Sequence, residues 1–338
     1  MTSAQTSNVL QDYVSQYRHI PLAWVKSRDN AVPGEAVSNF GDALSPVVVS
    51  AISGLPCVHR HFNHSGLRMV SAGTIGHAQH NGSAYFWGTG VDPKRGVGDS
   101  TISGYRRPPN TEFHVYALRG PYSRAAFVNE GISVPEIYGD PAWFLPRILP
   151  LKPEKIHELG VIVHISELDG LTSAARVKTN FVRYTGGEVD GVRIISTFHE
   201  PTWEAFVDKL REVLSCRRIV STSFHGLIVP QAYGIPAIYF PHRWSGGRTL
   251  DIIADYAEID HRIADFYAGT GVEQIKVFGA PYATVTDWVQ LMKHVDDVWA
   301  PLPVHENEFW DAFPLKKIHT LADSHWSLSP NLIKRCLW

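Results

Sequence analysis

A βαβ unit is predicted most clearly by Arg218-Ile-Val-Ser-Thr-Ser-Phe-His-Gly-Leu-Ile-Val-Pro-Gln-Ala-Tyr-Gly-Ile-Pro-Ala-Ile-Tyr-Phe240. Its first five residues predict a strand, and Ala237 to Phe240 predict a second one. Between them, Ser223 to Gly226 predict a loop and Leu227 to Tyr233 a helix, which Gly234 ends. Two strands joined through a helix predict a parallel sheet with a right-handed crossover.

The same pattern recurs along the chain. Leu159 to His164 predicts a buried strand, and Trp203 to Leu214 has the three- and four-residue apolar spacing of a helix, with Thr202 as its N-cap. In the first half, short apolar runs end at glycine-rich turns, as expected of strands in an α/β layer. Prolines cluster between Pro141 and Pro153, which predicts a linker. We therefore expect an α/β protein with two domains, residues 1–150 and 151–338.

Composition excludes several classes of protein. The 338 residues carry 31 basic and 33 acidic side chains, so bulk neutralisation of nucleic-acid phosphates is not expected. No apolar run is long enough to span a membrane, and the polar start predicts no secretory signal. The three cysteines, Cys57, Cys216 and Cys336, lie far apart, which is typical of reduced thiols in a cytoplasmic protein.

The turn Thr222-Ser-Phe-His-Gly226 is a candidate anion site. A helix that follows a strand points backbone N–H groups and its positive dipole end outward, which suits a phosphate or carboxylate. Thr222 and Ser223 add hydroxyl groups, and His225 adds an imidazole that can donate a proton. The alternative is that His225 merely caps or packs at the turn.

Four further residues could take part in such a site. Arg119 follows a predicted strand and can grip a planar anion, although an arginine near a turn is more often a surface group. Asn39 and Asp42 form a compact polar turn, in which Asp42 could instead cap a helix. Asp140, in Gly139-Asp-Pro-Ala142, is on local grounds a turn residue.

Two other segments follow predicted strands. His164 ends the strand that opens the second domain, where ligands tend to bind, but it could equally be a hydrogen-bonded loop residue. Pro241 to Arg248 contains Arg243, Trp244 and Arg248. It could close over an anionic ligand with Trp244 stacked on a sugar, or it could be a mobile surface loop.

Metal and dinucleotide sites are poorly supported. His59, His61 and His64 are close in sequence, but no carboxylate or cysteine completes a zinc ligand set, so we expect no metal. The glycine pairs in Gly73-Thr-Ile-Gly76 and Trp87-Gly-Thr-Gly90 lack the full fingerprint of a dinucleotide site. No nucleophile elbow or P-loop is present.

Taken in order, these motifs resemble the polysaccharide pyruvyl transferase family over roughly residues 35 to 245. The most specific block is Ile219 to Pro236. The other matching stretches are Asn39-Phe-Gly-Asp42, Gly73-Thr-Ile-Gly76, Trp87-Gly-Thr-Gly90, Arg119-Gly-Pro121, Gly139-Asp-Pro-Ala142 and Val161-Ile-Val-His164.

The resemblance implies two Rossmann-like domains facing a central cleft, as in GT-B glycosyltransferases, with helices after about residue 300 folding back across the first domain. It implies transfer of a carboxyethylidene group from phosphoenolpyruvate to hydroxyls of a hexose in a bacterial surface polysaccharide or its lipid-linked precursor, with release of phosphate. Phosphoenolpyruvate is then the donor substrate and no cofactor is expected. An enzyme acting on a lipid-linked acceptor would work at the inner face of the membrane.

The family's arginine falls on Arg119, which we expect to bind the donor, and its histidine falls on His225, which we expect to act as the general acid or to donate to the phosphate. Asp42 is expected to act as base or to orient the acceptor, and Asn39, Asp140, His164, Thr222 and Ser223 to bind substrate. Some members have an arginine where this chain has Ser223, so Arg243 or Arg248 would compensate for it. The alternatives are a nucleotide-sugar glycosyltransferase on the same scaffold and a non-catalytic glycan-binding relative.

Overall fold

The computed structural model describes residues 8–27, 36–97 and 104–334. These residues form two compact units. The first unit comprises the described parts of Met1–Trp24, Ser45–Asp140 and His305–Leu337, and the second those of Val25–Leu44 and Pro141–Val304. Both contain helices and a largely parallel sheet, which confirms the α/β class. Cys57 and Cys216 are buried free thiols, and Cys336 lies outside the described residues.

The strands and helices are numbered in chain order. The strands are β1 Ile20–Ala23, β2 Ser38–Asn39, β3 Cys57–His59, β4 Leu67–Val70, β5 Ser83–Trp87, β6 Glu112–Ala117, β7 Leu159–Val163, β8 Val192–Ser196, β9 Phe198–His199, β10 Ile219–Ser221, β11 Ala237–Tyr239, β12 Gly246–Asp251 and β13 Gln274–Gly279. The α-helices are α1 Val9–Tyr17, α2 Phe40–Ser53, α3 Pro121–Val128, α4 Leu145–Ile148, α5 Trp203–Leu214, α6 Phe224–Ala232, α7 His261–Gly269, α8 Trp288–Val298, α9 Glu306–Asp311 and α10 Pro330–Ile333.

The first unit is built on a five-stranded parallel sheet with the order β3-β1-β4-β5-β6. Its central strands are buried on both faces, as in parallel sheets covered by helices. The segment from His305 onward belongs to this unit, and Trp87 donates a hydrogen bond from Nε1 to the Phe309 carbonyl at 2.9 Å.

The second unit is built on a six-stranded sheet with the order β12-β13-β11-β10-β7-β8. All its neighbours are parallel except β12, which runs antiparallel to β13. A separate two-stranded ribbon pairs β2 with β9. All five residues of β7 are buried, and Leu159, Val161 and Val163 pack in one core with residues from β10, β11 and α8. The carboxyl ends of β7, β10 and β11 therefore lie side by side at one edge of the sheet.

Of the local predictions for these elements, that of helix α5 is confirmed and that of the loop before α6 is wrong. Helix α5 has the predicted bounds, and the Thr202 hydroxyl caps it by accepting from the Ala205 N–H at 3.1 Å. The predicted loop from Ser223 to Gly226 is wrong, because α6 begins at Phe224. Gly226 allows this early start, since a Cβ there would lie 2.4 Å from the Ser221 hydroxyl. His225 is consequently a helical residue, the second of α6.

Two other segments are more regular than predicted. The proline-rich linker contains a short 3-10 helix, Pro141–Phe144, and then α4, with a proline near the start of each. A proline is compatible with the first turn because that turn's N–H groups have no intrahelical partner. Gly246 to Arg248 lie in strand β12 rather than in a loop. Among the described residues, no helix combines the length and apolarity needed to cross a membrane.

Candidate active site

His225 and the Asn39-Phe-Gly-Asp42 turn come together in the second unit. Gly41 packs directly on the imidazole, because a Cβ added to it would lie 2.3 Å from His225 Nδ1. Any larger residue at position 41 would have to displace the ring. Glycine at position 41 therefore leaves the space that the His225 ring occupies.

Asn39 fixes this turn. Its Oδ1 accepts a hydrogen bond from the Gly41 N–H at 2.9 Å, and its Nδ2 donates to the Thr197 hydroxyl at 3.2 Å. The capping role that local pattern allowed for Asp42 is therefore taken by Asn39. Asp42 lies in the first turn of α2 and is partly exposed. Its chain neighbour Gly41 is the residue that contacts His225.

Ser223 precedes α6 in an extended conformation, and its side chain does not cap the helix. Its N–H is held by the Ser221 hydroxyl at 2.8 Å. The first turn of α6 thus follows β10 directly, at the carboxyl edge of the sheet. A helix start in this place favours an anion through its N–H groups and dipole.

A buried carboxylate ties the ends of β7 and β10. Glu167 is 2% exposed and accepts hydrogen bonds from the His164 N–H and the Tyr184 hydroxyl, each at 2.8 Å, and from the Thr222 hydroxyl. The His164 N–H also lies 2.9 Å from the Thr222 hydroxyl oxygen. Burial raises the pKa of Tyr184, so its phenol stays protonated and donates. Two predicted site residues, His164 and Thr222, are held in place by this carboxylate.

The imidazole of His164 faces an ion pair. Its Nδ1 lies 2.7 Å from the Ser166 hydroxyl and its Nε2 lies 3.4 Å from an Arg262 nitrogen. Burial and then the charge of Arg262 lower the pKa of His164, which favours the neutral ring. Arg262 is itself paired with Asp260 at 2.7 Å. Burial alone would raise the pKa of Asp260, but the hydrogen bonds and charge of Arg262 outweigh it and lower that pKa.

Arg119 and Asp140 come together in the first unit. Their side chains are 1% and 0% exposed, and Arg119 Nε lies 3.5 Å from Asp140 Oδ2. Arg119 also donates to the Thr74 hydroxyl at 2.7 Å. The turn role favoured locally for Asp140 is thus accompanied by a buried ion pair.

The glycine pairs of the first unit surround this arginine. A Cβ on Gly90 would lie 2.3 Å from Arg119 Nη1, so the backbone at Gly90 approaches the guanidinium as closely as only glycine permits. The two glycine turns are tied together by the Gly90 N–H, which donates to the Gly73 carbonyl at 2.9 Å. The two glycine motifs therefore surround the guanidinium of Arg119.

The residues after β11 have partners of their own. Arg243 is exposed and pairs with Glu258 at 3.1 Å. The guanidinium of Arg248 lies 4.8 Å from the centre of the Trp244 ring, so one face of that indole is covered by a cation. Compensation by either arginine for the family arginine that Ser223 replaces stays a prediction.

The three candidate histidines make other contacts. The His59 and His61 rings meet edge to face at 5.2 Å, and His64 Nδ1 accepts from the Gly66 N–H at 2.9 Å. No group of three or more potential metal ligands occurs within residues 8–27, 36–97 and 104–334.

Sequence reasoning missed Glu167, Tyr184 and Arg183. Arg183 is fully buried, donates from Nη2 to the Phe240 carbonyl at 2.8 Å and lies over the Phe240 ring, which positions the end of β11. A signal existed for Glu167 alone, since a cap residue followed three positions later by glutamate is a capping box, which His164 and Glu167 form.

The family comparison agrees with the motifs. Residues 82–243 match the model of the family described as polysaccharide pyruvyl transferase. The match covers just under half of the chain and supports the predicted resemblance. Its matched segment includes Arg119, Asp140, His164 and the His225 turn, and the family is one of transferases. No curated protein sequence matches the chain.

Proposed function

We propose that this pyruvyl transferase relative moves a carboxyethylidene group from phosphoenolpyruvate to two hydroxyls of a hexose. The acceptor belongs to a bacterial surface polysaccharide or its lipid-linked precursor, and phosphate is released. The proposal is carried by one observation: His225, inside the segment that matches the family, lies in the first turn of α6 and packs on Gly41, the chain neighbour of Asp42. We expect each unit to be a Rossmann-like domain of the GT-B kind, in a cytoplasmic enzyme.

Donor binding uses the start of α6. Phosphoenolpyruvate carries a phosphate and a carboxylate on one small carbon frame, so it needs two sites rich in N–H groups or cations. The helix start after Ser223 supplies the first, with the Thr222 hydroxyl and the neutral ring of His164 beside it. Arg119, in the first unit, is also proposed to bind the donor, and its guanidinium already pairs with Asp140.

The proton transfers are assigned to His225 and Asp42. His225 donates a proton to the methylene carbon of the donor, so that positive charge develops at the carbon bearing oxygen. One sugar hydroxyl attacks that carbon, the C–O bond to phosphate breaks, and a second hydroxyl closes the ketal. Of the two hydroxyl protons, one replaces the proton that His225 gave up and one leaves with phosphate. Asp42 accepts a hydroxyl proton during attack, and such transfers contribute about 10²–10⁴-fold each.

The test is incubation of the protein with phosphoenolpyruvate and a panel of hexoses and oligosaccharides, followed by mass spectrometry and a phosphate assay. The proposal predicts a ketal-sized mass gain with matching phosphate release. Consumption of a nucleotide sugar with no use of phosphoenolpyruvate would replace it with the glycosyltransferase alternative. Saccharide binding without turnover of either donor would favour the non-catalytic relative.

A further inference from the structure

A cavity in the second unit lies beside the free edge of strand β8. It has a volume of about 430 Å³, which is within the range of small-molecule binding sites. Its walls come from the segment between β7 and β8, from β8 itself and from α5. The proposed transfer mechanism uses none of the charged residues that line it.

Cations dominate this cavity. Arg176 and Lys178 come from the segment between β7 and β8, Arg193 from β8 and Lys209 from α5, and Glu212 is the one carboxylate among the residues that line it. Glu212 pairs with Arg193 at 3.0 Å and with Lys209 at 2.7 Å. Burial alone would raise the pKa of Glu212, but these two cations outweigh it and lower that pKa. One ionised carboxylate against four cations leaves the cavity strongly positive.

The rest of the lining suits a saccharide better than a lipid chain. Hydroxyl groups of Ser173, Thr179, Thr185 and Ser196 are interspersed with the rings of Phe181 and Tyr184. Hydroxyls provide donors and acceptors for sugar hydroxyls, and aromatic rings pack against the apolar faces of sugars.

Two contacts connect this cavity to the candidate active site. Ser196 and Lys209 also line the small cavity that contains His225. Tyr184, which lines the basic cavity, donates its hydroxyl hydrogen bond to Glu167, the carboxylate that holds His164 and Thr222. A ligand here would therefore adjoin the reacting groups without occupying the donor site.

We infer that the cavity lined by Arg176, Lys178, Arg193 and Lys209 binds an acidic saccharide, one that carries phosphate or carboxylate. The inference rests on the proposed function only in assigning this ligand to the acceptor side of the reaction. Binding itself is independent of turnover.

The experiment measures binding by calorimetry with four probes: maltose 1-phosphate, digalacturonic acid, maltose and inorganic phosphate. The full chain is compared with the double variant Arg176→Glu/Lys178→Glu. The matched control is Lys152→Glu/Arg211→Glu, which makes the same charge change at exposed positions of the same unit. We expect at least one acidic saccharide to bind about tenfold or more tightly than maltose, and the double variant, but not the control, to lose that preference.

Three results would overturn the inference. They are equal binding of maltose and both acidic saccharides, acidic saccharide binding that survives in the double variant, and inorganic phosphate binding as tightly as the saccharides. The transferase proposal is judged separately by phosphate release from phosphoenolpyruvate with neutral acceptors. Turnover with failed acidic binding removes this inference alone, and failed turnover with selective binding removes only the proposed reaction.

Discussion

Arg119 and His225 have similar local settings in the two α/β units, but their surroundings differ. Each follows a parallel strand and precedes or begins a helix, and each is approached by a glycine where a Cβ would clash. Arg119 is buried with the carboxylate of Asp140, whereas His225 is partly exposed and packs on Gly41, the chain neighbour of Asp42. A motif residue at the end of a strand can therefore serve mainly to stabilise the fold or mainly to take part in a reaction. The two cases respond differently to substitution.

The largest effect is expected at His225. Replacement by Gln should lower kcat by about 10²–10⁴-fold, because the donor of the proton to carbon is lost. Stability should change little compared with the control His305→Gln, at an exposed position of the other unit. Steady-state phosphate release measures the rate, and near-normal turnover would remove His225 from the proton-transfer role.

Arg119 should show the opposite behaviour. Arg119→Met leaves the Asp140 carboxylate buried without its cation, which costs about 3–5 kcal/mol in the free energy of unfolding. The single variant therefore cannot separate donor binding from stability. The double variant Arg119→Met/Asp140→Leu should recover most of the stability and still lose phosphoenolpyruvate affinity. Urea unfolding tests both. Weak donor binding by the stable double variant would support the binding role, and normal binding would refute it.

The region around His225 should also be sensitive to acid. Burial lowers the pKa of His199, on β9 beside Asn39, from 6.5 to about 4. Between those values the unfolded chain binds a proton that the folded chain does not, so stability falls as pH drops from about 6.5 to 4 and then levels off. The loss is about 3 kcal/mol at most. His199→Gln should remove this part of the pH dependence, and an unchanged slope in urea titrations would contradict it.

Glu167 should matter for stability and for the site together. Glu167→Ala removes the acceptor of the Tyr184, Thr222 and His164 hydrogen bonds. It should lower the free energy of unfolding by about 1–3 kcal/mol. Glu188→Ala, at an exposed position, serves as the control, and its free energy of unfolding should stay within about 0.5 kcal/mol of that of the unsubstituted protein. Equal stabilities for the two variants would show that Glu167 does not hold these strand ends.

The smallest effect is expected at Gly41. Gly41→Ala should push the imidazole of His225 aside and reduce kcat about tenfold, since small misplacements of reacting groups are costly. Gly170→Ala meets no neighbouring atom within 4 Å and should leave kcat unchanged. A normal rate for Gly41→Ala would mean that the ring position is not critical.

Sequence patterns predicted the α/β class, strand β7, helix α5 with its cap, and the residues around His225. They failed where tertiary contacts decide the outcome. The early start of α6 depends on how closely Gly226 approaches β10, which no local signal reports. The burial of Arg119 could not be predicted either, because its partner Asp140 is distant in sequence and each looked like a turn residue alone. Tyr184 and Arg183 lie in a segment with little regular structure, so no periodicity marked them.

Deuterium labelling tests the proton transfer from His225 to carbon most directly. With phosphoenolpyruvate and an accepted saccharide in D₂O, the ketal methyl group of the product should carry solvent deuterium, seen by NMR and mass spectrometry. The label should form in step with phosphate release and slow in His225→Gln by the same factor. A ketal methyl without solvent deuterium would contradict protonation of the donor carbon and, with it, the role assigned to His225.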